Sequence, residues 1–355
     1  MTKTSRKLFE DFSWMPLEGI WDATDEGLLF SGNEYELPSP KDDPILSKPE
    51  TNSSRAKIVT AGIAVFGQEF QEGRIKLTVD FEEVDYRSSA GIILQYNTET
   101  KDMLVFSITG GGLKPAPGVG GSLFKLQYWA PSPDQRRQQR GAPSDALKVW
   151  TSLFEAGLGT NIKAEQSYRL EIQVRGAVIN LFANGVEIGR HNLVEPSLAG
   201  LSCGAFCLSH KRITFKDVAL ETSSPKAFVA MQFQTPEYES LFREVIEPVC
   251  KGQGLQAYRA DFTYMPGLII EDIKKQILEA RVVIAEITPQ NPNVYYEVGY
   301  ADALNKPVIL ISDRKEGLKP FDVRAYRTIF YDNSIGGRSQ IENELKSYLQ
   351  AIMEN

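Results

Sequence analysis

The chain has 355 residues, and at roughly 150 residues per domain this length predicts two domains. A composition of 42% hydrophobic and 24% charged residues is ordinary for a globular protein and excludes a largely disordered chain. The formal charge of −7 does not favour DNA or RNA as a partner, because proteins that bind nucleic acids usually carry a basic excess.

No apolar run approaches the ~18 residues of a membrane span, and the first residues, MTKTSRKLFEDFSW, lack the apolar core of a signal peptide. We therefore expect a cytoplasmic protein with no direct membrane or nucleic-acid binding. The three cysteines and two histidines, His191 and His210, show no metal-ligand spacing, so neither a metal site nor a disulfide framework is expected. Any catalysis is predicted to depend on carboxylates.

Short apolar runs separated by turn residues fill the first 222 residues. Residues 75–79 alternate apolar and polar side chains, as half-buried antiparallel strands do. Hairpin turns are predicted at residues 175–177 and at the Asn184-Gly185 pair, which favours positive φ. Many strands without a convincing helix predict an all-β sandwich domain over residues 1–222.

Residues 110–146 depart from this pattern, because they combine glycine, proline and a basic cluster around Arg137. We interpret them as one long loop, which in a compact domain is either functional or disordered. Its aromatic residues Phe124, Tyr128 and Trp129 either anchor the loop on a partner or pack back onto the sheet.

Two stretches near the end of this region form a recognisable pattern. The first is the hairpin INLFANGVEIG (residues 179–189), and the second is LAGLSCGAFCLSHKRITFKDVAL (residues 198–220), interpreted as one closing strand. Together they resemble the concanavalin-A-like and laminin-G-like jelly rolls. The resemblance leaves two roles open for this domain: packing or oligomerisation, and sensing of an unknown ligand or protein partner.

Beyond residue 222 short apolar runs alternate with amphipathic ones. This alternation predicts an α/β domain over residues 223–355 with an open, parallel, flavodoxin-like sheet. The predicted strands are 226–233, 255–261, 280–288, 306–312 and 327–332, and the predicted helices are 236–252, 268–280, 294–305 and 339–353.

Ligands of such sheets bind beyond the carboxyl ends of the strands, where TPQNPN (residues 288–293) is the most specific segment. Asn293 is predicted to cap a helix that begins at Val294, which places Glu297 in about the first turn, beside the positive end of the helix dipole. Tyr295 and Tyr296 precede Glu297, and aromatic rings beside a carboxylate suit a sugar or a base. A glutamate early in a helix is also favoured without any chemistry, so residue types alone leave both readings open.

The run VVIAEITPQNPNVYYEVGYADALNKPVILIS, with KAFVAMQF before it and KPFDVRAYRTIFYD after it, resembles bacterial Toll/interleukin-1-receptor-like and nucleoside 2-deoxyribosyltransferase-like domains. The resemblance covers about residues 225–355. It implies an N-glycosidase acting on nucleosides, nucleotides or NAD, in several members as an effector of antiphage defence. The key glutamate of these families matches Glu297, whereas Glu286 stands where relatives tend to have aspartate.

The resemblance implies Glu297 as nucleophile or electrostatic stabiliser at the anomeric carbon of ribose. NAD would be a substrate, and no cofactor is expected. Because its nicotinamide is already a cationic leaving group, a general acid is not essential. The other candidate contacts are Asp261 for ribose hydroxyls, Phe233 and Tyr296 for stacking, Asn291 and Asn293 for the loop or the sugar, and Arg259 and Arg324 for phosphate.

These observations predict an NAD glycohydrolase that is a regulated antiphage effector, with the β domain sensing, recruiting or assembling and the chain self-associating on activation. Two alternatives stay open: a nucleotide-binding signalling module without turnover, and a deoxyribosyltransferase or nucleotide salvage enzyme. No GxGxxG or P-loop sequence follows the first strand of the α/β domain, which disfavours a hydride-transferring enzyme or a P-loop ATPase.

Overall fold

A computed structural model describes residues 14–32, 34–36, 57–59, 61–84, 88–110, 121–131, 148–158, 161–164, 166–193, 202–232, 235–259, 269–315, 326, 328–332 and 334–354. Sixteen strands precede residue 223 in these ranges. They are β1 (Trp14–Glu18), β2 (Trp21–Thr24), β3 (Gly27–Phe30), β4 (Glu34–Glu36), β5 (Lys57–Val59), β6 (Ala61–Glu69), β7 (Gly73–Phe81), β8 (Ser89–Tyr96), β9 (Met103–Thr109), β10 (Ser122–Pro131), β11 (Lys148–Leu158), β12 (Tyr168–Arg175), β13 (Val178–Ala183), β14 (Val186–Asn192), β15 (Ser202–Leu208) and β16 (Ile213–Thr222).

Two seven-stranded antiparallel sheets account for most of these strands. One has the order β1-β6-β15-β8-β9-β10-β11 and the other β14-β13-β12-β7-β16-β3-β2, while β4 and β5 pair separately. The sheets pack face to face through one core, in which Leu77 and Ile172 of one sheet lie with Ile92 and Phe106 of the other, all fully buried. Each such side chain contributes roughly 1.5–3 kcal/mol by leaving water. The predicted β-sandwich is thereby confirmed.

Both predicted hairpin turns are present, joining β12 to β13 and β13 to β14. Asn184 and Gly185 have φ of 51° and 82°, the left-handed conformation that two-residue hairpins of this type require. The single closing strand predicted over residues 198–220 is wrong. The polar residues between β15 and β16 form a turn, and the two strands belong to opposite sheets.

The long loop predicted over residues 110–146 is also wrong in part, because β10 lies inside it. This strand pairs with β9 on one side and β11 on the other. Phe124 and Tyr128 pack on the sandwich core, whereas the ring of Trp129 lies 5.1 Å from that of Trp150. The basic cluster around Arg137 lies outside the described residues.

The remaining strands form a five-stranded parallel sheet: β17 (Lys226–Ala230), β18 (Gln256–Arg259), β19 (Val282–Glu286), β20 (Val308–Asp313) and β21 (Thr328–Tyr331). Its order, β18-β17-β19-β20-β21, is the 2-1-3-4-5 order of flavodoxin-like sheets. The change from antiparallel to parallel sheet falls between Thr222 and Lys226. The division into two domains at residue 222 stays a prediction.

Helices cover both faces of the parallel sheet. They are α1 (Pro236–Leu241), continued by a π-helical turn (Phe242–Ile246) into α2 (Glu247–Gly252), then α3 (Ile269–Glu279), α4 (Pro292–Ala303) and α5 (Ile335–Glu354). The α1–α2 segment and α5 pack on one face, and α3 and α4 on the other. None of the helices in the described ranges is long and apolar enough to span a bilayer.

Candidate active site

The candidate site lies at the carboxyl edge of the parallel sheet, where α4 begins. The side chain of Asn291 caps this helix by accepting a hydrogen bond from the Asn293 backbone N–H at 3.0 Å. Pro292 is the first helical residue, a position where the missing N–H has no intrahelical partner to lose. The predicted cap at Asn293 and helix start at Val294 are therefore wrong by two residues.

The earlier start moves Glu297 away from the end of the helix. Glu297 is the sixth residue of α4, about 7 Å along the axis from Pro292 at ~1.5 Å per residue. It lies in the second turn, whereas the sequence predicted about the first turn. Because the effect of the helix dipole falls off within the first turn, the local environment controls the charge of this carboxyl.

That environment is apolar. Glu297 is only 7% exposed, and its neighbours Val294, Val298 and Ala301 on the helix are buried as well. No described residue makes a hydrogen bond or ion pair with its carboxylate. Burial raises the pKa of Glu297 to about 7. A carboxyl with this pKa is ionised or protonated near neutrality with little cost, a property common among catalytic carboxyls.

The adjacent face of α4 carries two tyrosines. Tyr296 is 44% exposed, and its ring is nearly parallel to that of Tyr300, with an angle of 8° and centroids 6.4 Å apart. Consecutive residues are separated by about 100° around a helix, so this surface borders the face of Glu297. A planar group next to Glu297 would find an aromatic surface there.

Arg259, predicted to contact phosphate, ends β18 and is 3% exposed. Its guanidinium lies 2.8 Å from a carboxylate oxygen of Glu239 and 4.7 Å from the centre of the Phe242 ring. The same ion pair contributes to lowering the pKa of Glu239. Arg259 therefore binds Glu239 in this structure, and phosphate binding would require it to share or exchange that partner.

Glu286, at the end of β19, organises the loop that leads to α4. It accepts hydrogen bonds from the backbone N–H of Thr288 at 3.1 Å, from the Thr288 hydroxyl, and from the Tyr331 hydroxyl at 3.4 Å. The Thr288 hydroxyl also accepts from the Asp313 N–H, and the Thr288 carbonyl accepts from Tyr238. Burial raises the pKa of Glu286 to about 8 despite these donors.

The raised pKa of Glu286 has a consequence for stability. A carboxyl whose pKa rises on folding stabilises the folded state below its unfolded value of 4.5, and this stabilisation is lost as pH rises towards 8. We expect Glu286→Gln to flatten the decline in unfolding free energy between pH 5 and pH 8 by a few kcal/mol. Urea unfolding of both proteins at the two pH values measures the difference, and equal slopes would contradict it.

The structure thus places Asn291 at the cap of α4, and Asn293, Tyr296 and Glu297 on its first two turns. Phe233, Asp261 and Arg324 lie outside the described residues, so their predicted roles stay predictions. The hydrogen bonds between Thr288 and Glu286 were not predicted from the sequence. The separation of these two residues by two positions at the end of a strand could have indicated them. No group of metal-ligating side chains occurs in the described parts of the chain.

A second feature of the same edge is a cleft of about 630 Å³ between α1 and the start of α5. Tyr238, Asp313, Tyr331 and Arg338 are among its lining residues, and Glu297 is not. The cleft lies on the α1–α5 face of the sheet, whereas α4 packs on the opposite face. Two lining residues of the cleft, Tyr238 and Tyr331, also belong to the hydrogen-bond network of Glu286 and Thr288.

No protein-family model and no curated protein matches this chain. Among solved structures it is similar to a carbohydrate-binding module, CBM66, from Bacillus subtilis (10% identity, 58% of this chain and 92% of that one, TM-score 0.35). It is also similar to a CMP N-glycosidase from Clostridium botulinum (22% identity, 35% and 98% of the chains, TM-score 0.29). A third is a 2-deoxyribosyltransferase from Bacillus psychrosaccharolyticus (16% identity, 35% and 91%, TM-score 0.29).

Proposed function

We propose that the α/β part of this chain is an N-glycosidase that cleaves the nicotinamide–ribose bond of NAD or of a related nucleotide. The observation that carries the proposal is the buried carboxyl of Glu297, with a pKa raised to about 7 and an aromatic surface beside it. The same position matches the key glutamate of the families that the sequence resembles. We further propose that the enzyme is a regulated antiphage effector that self-associates on activation, with the sandwich as its sensing or assembling module.

The reaction requires little from the protein besides one carboxylate. As the C1′–N bond of NAD breaks, its electron pair moves to the nicotinamide nitrogen and neutralises the pyridinium. The ionised Glu297 stabilises the oxocarbenium-like ribose, or bonds to C1′, from the opposite face. Water then adds at C1′ and, where a bond to Glu297 has formed, displaces the carboxylate, which leaves as the free anion. This yields ADP-ribose, and the extra proton of the water is released to solvent. Nicotinamide leaves as a neutral molecule, so no general acid is needed.

This role fixes the direction of the pH dependence. The carboxylate must be ionised, so kcat/KM should rise about tenfold per pH unit below pH 7 and level off above it, following the pKa of Glu297. Initial rates of nicotinamide release between pH 5 and pH 9 provide the profile. If Glu297 acted as a proton donor instead, the rate would fall as pH rises through 7.

Two alternative functions use the same residues. In a nucleotide-binding module without turnover, Glu297 would only form part of the pocket, and ligand would bind without being consumed. In a deoxyribosyltransferase, the same carboxylate would act on 2′-deoxynucleosides. Parallel incubations with NAD, with CMP, and with deoxycytidine plus adenine as acceptor base are each analysed for the released base. Release from NAD or CMP indicates an N-glycosidase, whereas release from deoxycytidine together with formation of deoxyadenosine indicates a transferase. No release from any of them indicates a binding module.

A further inference from the structure

The junction between the sandwich and the parallel sheet contains a cleft of about 450 Å³. Its lining comes from both parts of the chain: from β7, β12, the end of β16 and the linker on one side, and from Lys226 and Gln256 on the other. These last two residues begin β17 and β18, so the cleft lies at the amino edge of the parallel sheet. One strand length, about 13 Å, separates that edge from the candidate active site.

The junction is held by specific contacts. The turn at Gly176, with φ of 55°, lies so close to the end of α3 that an added Cβ would be 2.4 Å from the Glu279 carbonyl oxygen. The Arg175 guanidinium also crosses the junction and lies 3.7 Å from a carboxylate oxygen of Glu279. The two parts therefore meet in a defined geometry, which a ligand site between them requires.

Three basic side chains surround the cleft: Arg74, Arg175 and Lys226. Their nearest carboxylate oxygens are 3.7, 3.7 and 3.5 Å away, longer than the ~2.8 Å of a direct charge-assisted hydrogen bond. Their side chains are 42%, 43% and 30% exposed. In its better hydrogen-bonded orientation the Gln173 amide oxygen accepts from both arginines, which holds the two guanidinium groups side by side.

The carboxylates around the cleft offset only part of this charge, because Arg175 and Lys226 share one partner, Glu279, while Arg74 faces Glu171. Glu221 is paired with Lys76 at 2.9 Å, outside the lining. Glu72 is 6% exposed, and burial raises its pKa to about 7, so it is only partly ionised near neutrality. Its carboxylate accepts from the Gly176 N–H, while its Oε1 accepts no hydrogen bond from any described residue. Such a buried oxygen is costly to leave without a donor.

We propose that the junction cleft binds a phosphorylated small molecule, with the phosphate on Arg74, Arg175 and Lys226 and a hydroxyl donating to Glu72. Two adjacent guanidinium groups supply donors that suit a phosphate oxyanion, and the Lys226 ammonium adds a third positive charge from the other side of the junction. A cleft of this volume accommodates a molecule the size of a sugar phosphate. Because the ligand contacts both parts of the chain, its binding stabilises their junction.

Calorimetric titration of the full chain at low ionic strength tests this with three probes. Ribose 5-phosphate should bind, whereas ribose should not bind measurably. Inorganic phosphate should bind more weakly than ribose 5-phosphate, because it has no sugar hydroxyl to donate to Glu72. A citrate titration distinguishes phosphate from carboxylate recognition: citrate binding as tightly as ribose 5-phosphate would overturn the assignment to phosphorylated ligands. Absence of ribose 5-phosphate binding would overturn the site itself.

Variants locate the binding. Arg175→Ala combined with Lys226→Ala should weaken ribose 5-phosphate binding at least tenfold, and Arg74→Ala alone should weaken it several-fold if the double variant does not fold. The control Arg190→Ala removes another exposed arginine, paired with Glu187, and should leave the affinity unchanged. Glu297→Gln should also leave it unchanged, so this test is independent of the proposed catalysis. Equal affinity in wild type and in both cleft variants would place the ligand elsewhere.

Discussion

Glu297→Gln is expected to lower nicotinamide release from NAD by at least about 10³-fold while leaving the fold intact. Glutamine has nearly the same shape but cannot carry the negative charge that stabilises the oxocarbenium-like ribose or bonds to C1′. The residual rate would come from substrate binding alone. Initial rates of nicotinamide release, at equal concentrations of both proteins and at pH 8, measure the effect.

The same variant has a second expected signature, in stability. The pKa of Glu297 is raised on folding, so this residue opposes folding increasingly as pH rises from 4.5 through 7. Glutamine removes that cost, and Glu297→Gln should be more stable than wild type at pH 8 by roughly 2–3 kcal/mol. Residues that serve catalysis often lower the stability of the folded protein, so that replacing them makes the protein more stable.

Glu271→Gln is the matched control, because Glu271 is an exposed carboxylate on α3 paired with Lys274. It should leave the rate of nicotinamide release unchanged. A Glu297→Gln variant that folds and retains the wild-type rate would show that Glu297 takes no part in the reaction.

Gly176→Ala is expected to destabilise the contact between the sandwich and α3 by about 3 kcal/mol or more. The added methyl group occupies a left-handed conformation, which costs about 1 kcal/mol, and it also overlaps the Glu279 carbonyl oxygen. Backbone atoms cannot move aside as a flexible side chain does, so the turn must lift from the helix end.

Gly185→Ala provides a matched control. Gly185 has a φ of 82° in the next hairpin turn, but no atom lies within 4 Å of its added Cβ. Gly185→Ala should therefore be destabilised only by the cost of placing alanine in the left-handed conformation, without any steric overlap. Amide hydrogen exchange should therefore accelerate at the end of α3 in Gly176→Ala and not in Gly185→Ala. Equal amide exchange rates and equal shifts in the urea midpoint in the two variants would show that the Gly176 turn is not in tight contact with the end of α3.

The periodicity of the sequence was sufficient for the fold class. Alternation of two in residues 75–79 and the change to a helical period after residue 222 predicted the sandwich and the parallel sheet, because burial on one face controls both patterns. The errors arose where a short polar stretch divides two strands, as between β15 and β16, and where glycine and proline on both sides concealed β10. The strands that pair with β15 and β16 are distant in sequence, so a local pattern does not reveal them.

The site was predicted in part. Glu297 lies on the helix that the sequence predicted, α4, but this helix starts two residues earlier than predicted, and the burial of Glu297 was not predicted. An asparagine before Pro292 was the stronger signal, because proline favours the first helical position and asparagine the cap. The hydrogen-bond network of Glu286, Tyr331 and Asp313 links three different strands. Spacing between neighbouring residues in the sequence does not predict contacts between those strands.

The most direct test of the central claim is NAD consumption by the full-length chain, followed as nicotinamide release over a range of protein concentrations and with a crowding agent that promotes self-association. We expect one nicotinamide for each NAD consumed, a specific rate that rises with protein concentration, and no release by Glu297→Gln. NAD that remains intact under all these conditions, while CMP or deoxycytidine loses its base, would contradict the assignment to NAD. If NAD, CMP and deoxycytidine with an acceptor base all remain intact, the proposed N-glycosidase activity is contradicted and the nucleotide-binding module becomes the favoured function.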